Sequence, residues 1–376
     1  MKRLNFPFIF MLVICLLVTT FASAKVWRVN NKSNYNGSSL WGDNFGGTAA
    51  YPVFAQISQA VSFGIVNNGD TLHIEGSTVI YTFGTITKKL VIIGTGYYLT
   101  NNPSTSNSTL SSKIEYILFN NGSQGSQLIG LDVVNNGNTA DGYVYVSVND
   151  ITVKRCRIER AVRFETLLTD VFILQNFFPN SIVSNSLATN GNSFFIPPTG
   201  IIFNNNICQK TLTWGTPLAN PTTFWPISEC HNNVFDGPDN LATPNLAFTT
   251  SEFKNNILMP TNAVVNIPAS AGVIAYNIGT LSTQFGTTDN NLVVPAITTL
   301  FTSSSSTDAS YQVAPASVAA NSGSDATDRG AFGGAAVTNR YTLSGLAPIP
   351  VIYKITTSGV ANASGLSVTI SARTIK

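Results

Sequence analysis

The residues best suited to chemistry in this 376-residue chain crowd into one tract: Lys154, Arg155, Arg157, Glu159, Arg160, Arg163 and Glu165. Guanidinium groups at this density suit a ligand carboxylate, because each presents a planar fork of donors. If Cys156 and Ile158 face a core, Arg157 and Glu159 share the opposite face of the same strand. Asp132 then falls near Arg157. Two readings stay open. One is a site for an acidic sugar, held by Arg155, Arg157 and Arg160, with Arg157 orienting the carboxylate. The other is a ladder of surface ion pairs, each of small worth.

A second candidate lies between Asn206 and Asn233, where Trp214, Phe224, Trp225, Glu229 and His231 gather. Aromatic faces suit sugar rings, so Trp214 and Trp225 with Glu229 form a candidate carbohydrate contact. Aromatics that simply pack against a scaffold explain the same residues. His73 and His231 are the only histidines and do not make a metal pair. The carboxylates Asp132, Asp141, Asp150, Glu159, Glu165, Asp170, Glu229, Asp236 and Asp239 are dispersed, with no Asp-Asp pair among them. No catalytic residue, metal site or cofactor is assigned on these grounds.

The elements that must position these residues announce themselves by a recurring phrase, an asparagine before an apolar residue at the end of a strand-forming run. It occurs as Gln175-Asn176-Phe177, Asn205-Asn206-Ile207, Asn232-Asn233-Val234, Asn255-Asn256-Ile257, Tyr276-Asn277-Ile278 and Asn290-Asn291-Leu292. Repeats of about 20 to 30 residues mark a solenoid. Stacked coils place equivalent side chains about 4.8 Å apart, so a column of asparagine amides bonds upward and downward together. Asparagine also tolerates the left-handed backbone of a sharp corner. Short β runs such as Thr71 to Ile74, Val79 to Phe83, Ile117 to Phe119, Leu128 to Val133, Val144 to Val148 and Ile151 to Val153 fill the intervals. Parallel strands without crossover helices follow. A β-sandwich of unrelated hairpins is the alternative, but Asn-Asn-apolar is poorer hairpin chemistry than Asn-Gly.

Composition agrees with a turn-rich fold: charged residues make up 10% of the chain, and there are 40 asparagines. Lys2 and Arg3, an apolar run from Phe6 to Phe21 and Ala22-Ser23-Ala24 predict a signal peptide over 1–24, cleaved after Ala24. Its removal takes Lys+Arg from 20 to 18 against 18 Asp+Glu, which leaves no basic footprint for nucleic acid. No further stretch is apolar enough to span a membrane. Of four cysteines, Cys156, Cys208 and Cys230 remain. The asparagine register puts Cys208 and Cys230 roughly 16 Å apart along the strand direction, too far for a disulfide.

Phe54, Ile57 and Val61 at helical spacing predict a helix of two or three turns that closes the first coil. Together with Ile57-Ser58-Gln59-Ala60-Val61, Gly69-Asp70-Thr71-Leu72, the Asn-rich coil ends and a closing Asp328-Arg329-Gly330-Ala331-Phe332-Gly333-Gly334, the chain resembles the pectate-lyase-like right-handed parallel β-helix superfamily over roughly residues 50 to 335. The resemblance implies an all-β solenoid over 25–335 with an N-terminal cap helix. Residues 336–376 are expected to add a linker and a β-hairpin tail. The superfamily holds polysaccharide lyases and glycoside hydrolases, so turnover of an extracellular acidic polysaccharide is one expectation. The missing acidic constellation favours the other: a secreted or cell-surface, monomeric protein that binds an extracellular polysaccharide or cell-surface glycan without catalysis.

Overall fold

A computed structural model describes residues 24–32, 42, 45–102, 104–180, 185–189, 197–216, 221–239, 243–268, 272–302, 307–362 and 365–375. Residues 1–23 of the expected signal peptide lie outside the described residues. The described chain is predominantly β, with long stacks of parallel strands consistent with a parallel β-helix. Three sheets of eleven, nine and five strands, here called sheets I, II and III, account for most of the strands among the described residues.

One coil shows how the sequence makes the shape. Val144–Val146 lies in sheet III, Ile151–Lys154 in sheet I and Arg157–Ile158 in sheet II. The chain then re-enters sheet III at Val162–Phe164, in register with Val144–Val146. Along these strands Val144, Val146, Ile151, Val153, Cys156 and Ile158 are fully buried, while Thr152 and Arg157 face outward. The period of two thus divides each strand between core and surface. Phe178, Phe203, Phe235 and Phe253 stack inside at centroid spacings of 5.9, 6.4 and 6.3 Å. The run 79–83 departs from expectation: the strand there is Gly84–Ile86, preceded by a single bridge at Tyr81.

The asparagine phrase performs two jobs at the corner between sheets I and II. Its first residue is left-handed, with φ of 58° at Gln175, 56° at Asn205, 53° at Asn232, 58° at Asn255 and 59° at Tyr276 and Asn290. The second builds a buried ladder. Asn176, Asn206, Asn233, Asn256 and Asn277 each donate Nδ2 to the next Oδ1, at 3.1, 3.2, 3.0, 3.1 and 3.2 Å, ending on Asn291. Cys156 continues the column one coil earlier, its backbone N–H donating to Asn176 Oδ1 at 2.9 Å. Among the described residues Cys156, Cys208 and Cys230 are buried and free, and Cys208 pairs in sheet II with Phe235 rather than facing Cys230.

The helix is shorter than expected, Ile57–Ser62, with Phe54 in strand Val53–Phe54 instead. Beyond sheet II the chain folds back over that sheet's outer face. Ile297, Leu300, Tyr311, Val313, Ala331 and Tyr341 bury an outward column of Phe177, Ile207, Val234, Ile257 and Ile278. The Asp328–Gly334 motif docks on the asparagine corner. Asn205 Nδ2 donates to the carbonyls of Ala331 and Gly333, and the Gly330 N–H donates to Asn255 O. Gly330 (φ 85°) lies so close that a Cβ would come within 2.9 Å of Ile257 Cδ1. Tyr341, Leu346 and Ala347 remain buried. Strands Pro350–Asn362 and Gly365–Thr374 then pair antiparallel.

Candidate functional site

Coil geometry deals the charged tract onto three separate surfaces. Arg155 occupies the left-handed corner (φ 56°) and is 1% exposed. Its Nε donates to Gln175 Oε1 at 2.7 Å and its Nη1 to Leu346 O at 3.0 Å. Burial pushes its pKa down to about 10. Arg155, expected among the contact residues, therefore lies buried and ties the C-terminal cover to the corner. Arg160 lies in the turn after sheet II, donating to Thr139 O at 3.1 Å with its guanidinium 5.3 Å from the Tyr143 ring. Arg163 points outward from sheet III, 5.3 Å from the Tyr145 ring, and pairs with Glu165 at 2.8 Å. Arg157 and Glu159 line a cavity.

That cavity lies over the first coils of sheet II and encloses about 550 Å³. Its floor is a column of in-register residues, Lys113, Asp132 and Arg157. Its rim comes from Tyr98, Asn101, Thr109 and Ser111. Arg157 Nη1 meets Asp132 Oδ1 at 2.8 Å and Nη2 meets Glu159 Oε1 at 2.9 Å, with the Tyr98 ring 5.7 Å from the guanidinium carbon. Burial pushes the Asp132 carboxyl above its usual range, against the pull of Arg157. Burial likewise works against the Arg157 charge, but Asp132 outweighs it and holds the guanidinium above its ordinary value. Glu159 Oε2 also accepts the Asn135 N–H at 2.7 Å. Arg157 is thus fixed in place before any ligand arrives. Lys113 is exposed at the mouth, and its ammonium makes no hydrogen bond or ion pair among the described residues.

No family model, curated protein or solved structure matches this chain. The stacked parallel strands are compatible with the fold that the pectate-lyase resemblance implies.

The aromatic candidate resolves as packing. Trp214 is fully buried and Trp225 nearly so, their rings 5.1 Å apart at 86°, with Trp214 also 5.0 Å from Phe164. The coil is widened here by a hairpin of Gly215–Thr216 and Thr223–Phe224, and the two indoles fill the wider interior. Neither offers a face to a sugar. Glu229 does face outward, from strand Pro226–His231 of sheet I, and accepts Asn204 Nδ2 at 3.2 Å beside a cavity of about 220 Å³. It stands in register with Glu252, which meets His231 Nε2 at 3.1 Å and Lys254 Nζ at 3.0 Å. Burial lowers the His231 pKa. The hydrogen bond from Lys254 is the main cause that holds Glu252 below its usual range. The structure therefore brings Arg157 together with Asp132, and Glu229 with Glu252, at two separate places. Sequence reasoning missed Tyr98, Asn101 and Lys113, although Lys113 was reachable by carrying the coil register back from Asp132.

Proposed function

We propose that this chain is an exported, right-handed parallel β-helix of the pectate-lyase-like kind, with Ile57–Ser62 capping its first coil, that binds an extracellular polysaccharide or cell-surface glycan without turnover. The single observation that carries the reading is the cavity over sheet II. Its rim is rich in hydroxyl and amide groups, its wall carries the Tyr98 ring, and its floor holds a fixed guanidinium beside a free ammonium. Hydroxyls and amides suit sugar hydroxyls, an aromatic edge suits a sugar ring, and Lys113 suits a carboxylate on an acidic residue of the chain. The test is a glycan array followed by titration of the best binder against Arg157→Ala and Lys113→Ala. At least a tenfold loss in the Arg157 variant is expected, with a smaller loss for Lys113→Ala that grows at low salt. Unchanged affinity in both variants would remove the cavity from the reading.

One observation favours hydrolysis as the second reading. Glu229 and Glu252 stand in register on adjacent parallel strands, whose spacing of about 4.8 Å is near the roughly 5–5.5 Å carboxyl separation of retaining glycosidases. Reducing-end release from pectic, alginate-like or neutral glycans, abolished by Glu229→Gln, would establish it over binding alone.

A further inference from the structure

The first residue fixed in the sheet meets a buried carboxylate. Asp70, 3% exposed, sits in the turn that opens strand Thr71–Ile74. Its Oδ2 accepts the Asn67 N–H at 2.8 Å and the Trp27 indole N–H at 2.7 Å. Its Oδ1 accepts one donor, the backbone N–H of Lys25, at 2.8 Å. Lys25 is anchored there: its carbonyl accepts the Thr71 N–H at 2.8 Å, and Val26–Val29 pairs with Thr71–Ile74. Its side chain goes elsewhere, with Nζ 5.5 Å from the Trp27 ring. Every hydrogen bond to Asp70 therefore comes from a neutral donor. Burial alone would raise its carboxyl, and the N–H groups of Asn67, Lys25 and Trp27, with a lesser through-space pull from the Lys25 ammonium, outweigh that and hold it below the usual range. A buried carboxylate with no cation bonded to it directly is a costly arrangement.

The nitrogen at Oδ1 is the one that cleavage after Ala22-Ser23-Ala24 would free. We propose that Lys25 is the processing site around which the first coil is built: hydrolysis of the Ala24–Lys25 bond places a cation in direct contact with Asp70. Water adds across the peptide bond, the carboxylate leaves on Ala24, and the Lys25 nitrogen takes up protons to become an α-ammonium. The neutral amide contact becomes a buried ion pair without movement of either group. The unprocessed chain lacks this pair, so the strand Val26–Val29 is held less firmly before cleavage than after. The inference rests on the export reading above for its protease, but the ion pair is testable apart from it.

Four chains decide the matter: one beginning at Lys25, one beginning at Ala24, and the same two carrying Asp70→Asn. Thermal midpoints are compared from pH 5 to pH 10. An exposed α-amine titrates near about 7.7–8.0, and pairing raises that value in the folded state. Its stabilisation is fully present below the unfolded value and is lost as pH rises through the folded one. The Lys25 start is therefore expected to melt about 2 °C or more above the Ala24 start at pH 6. The gap should close by about pH 10 and be absent with Asp70→Asn. Equal midpoints at pH 6, or a gap that does not change with pH, overturn the proposal, and this contrast holds even if Asp70→Asn fails to fold. Mass spectrometry of the exported protein should give Lys25 as the first residue. A different first residue overturns the processing role, whereas a protein that stays inside the cell sinks the export reading and leaves the midpoint contrast to judge the ion pair.

Discussion

Replacing Asn233 tests the ladder at its centre. Its Nδ2 donates to Phe203 O at 2.8 Å and to Asn256 Oδ1 at 3.0 Å, while its Oδ1 accepts the Asn206 N–H at 2.8 Å. Asn233→Ala removes these three bonds together with the bond from Asn206 Nδ2 at 3.2 Å and a longer one to Cys230 Sγ at 3.5 Å. Asn256 Oδ1 keeps the Asn233 backbone N–H, and Asn206 Nδ2 keeps Ile173 O. Two buried groups lose these partners, the Asn206 N–H and the Phe203 carbonyl. At about 1–3 kcal/mol for each unsatisfied buried group, the substitution should cost about 2–6 kcal/mol. Asn233→Asp discriminates further, because it turns a second oxygen toward two acceptors and buries a charge, so it should cost more than Ala. Asn232→Gly is the control, since the left-handed corner admits glycine freely and the change should stay within about 0.5 kcal/mol. Urea unfolding followed by the fluorescence of buried Trp214 and Trp225, which lie in the same coil, reads each value. An Asn233→Ala chain no weaker than Asn232→Gly, or an Asp variant milder than Ala, would refute the ladder as a structural bond.

Lys210 is 1% exposed and burial pushes it down from 10.5 to about 8. Because the folded value is depressed, its cost is fully present below about pH 8 and is relieved as pH rises to about 10.5, so wild-type stability should climb by up to about 3 kcal/mol over that window and Lys210→Met should flatten the climb. Arg155→Ala should loosen the C-terminal cover by freeing Leu346 O and Gln175 Oε1, read as faster amide exchange over 338–347; Arg155→Gly should cost about 1 kcal/mol less, because it relaxes the positive φ. Trp214→Phe should lower the urea midpoint while leaving glycan affinity unchanged, because Trp214 packs on Phe164 inside the coil.

The stack of coils was legible because the asparagine corner imposes two local demands that residue chemistry satisfies openly. Asn205, Asn232 and Asn255 take the left-handed backbone, and Asn206, Asn233 and Asn256 bond along the column. The Arg157–Asp132 pair was legible for the same reason, since coil register and strand alternation are both local rules. Burial of Arg155 was not, because residues near Leu346 cover it. Local spacing carries no trace of a cover that returns from so far along the chain. The rim of the cavity failed to announce itself on similar grounds: Tyr97 is held by a hydroxyl contact with Tyr341, and Asn102 by Asp308. The indoles misled because packing inside a widened coil and stacking on a sugar ask for the same aromatic surface.

In a stacked fold, chemistry accumulates down columns rather than along the chain, and one column of sheet II changes character part-way. It runs Lys113, Asp132, Arg157 and then Phe177, Ile207, Val234, Ile257 and Ile278. The apolar part gains from being covered, and residues between Ile297 and Tyr341 cover it. Covering the polar part would strip water from Asp132 and Arg157 beyond what their own pairing offsets. The cover therefore has reason to stop at Phe177, where Tyr97 and Tyr98 meet that ring at 6.3 and 5.7 Å. The cavity is what that stop leaves open. A ligand that satisfies Lys113 and the rim hydroxyls would extend the cover by one further step, which is why the transition point in the column, rather than the densest run of charge, is where binding is expected.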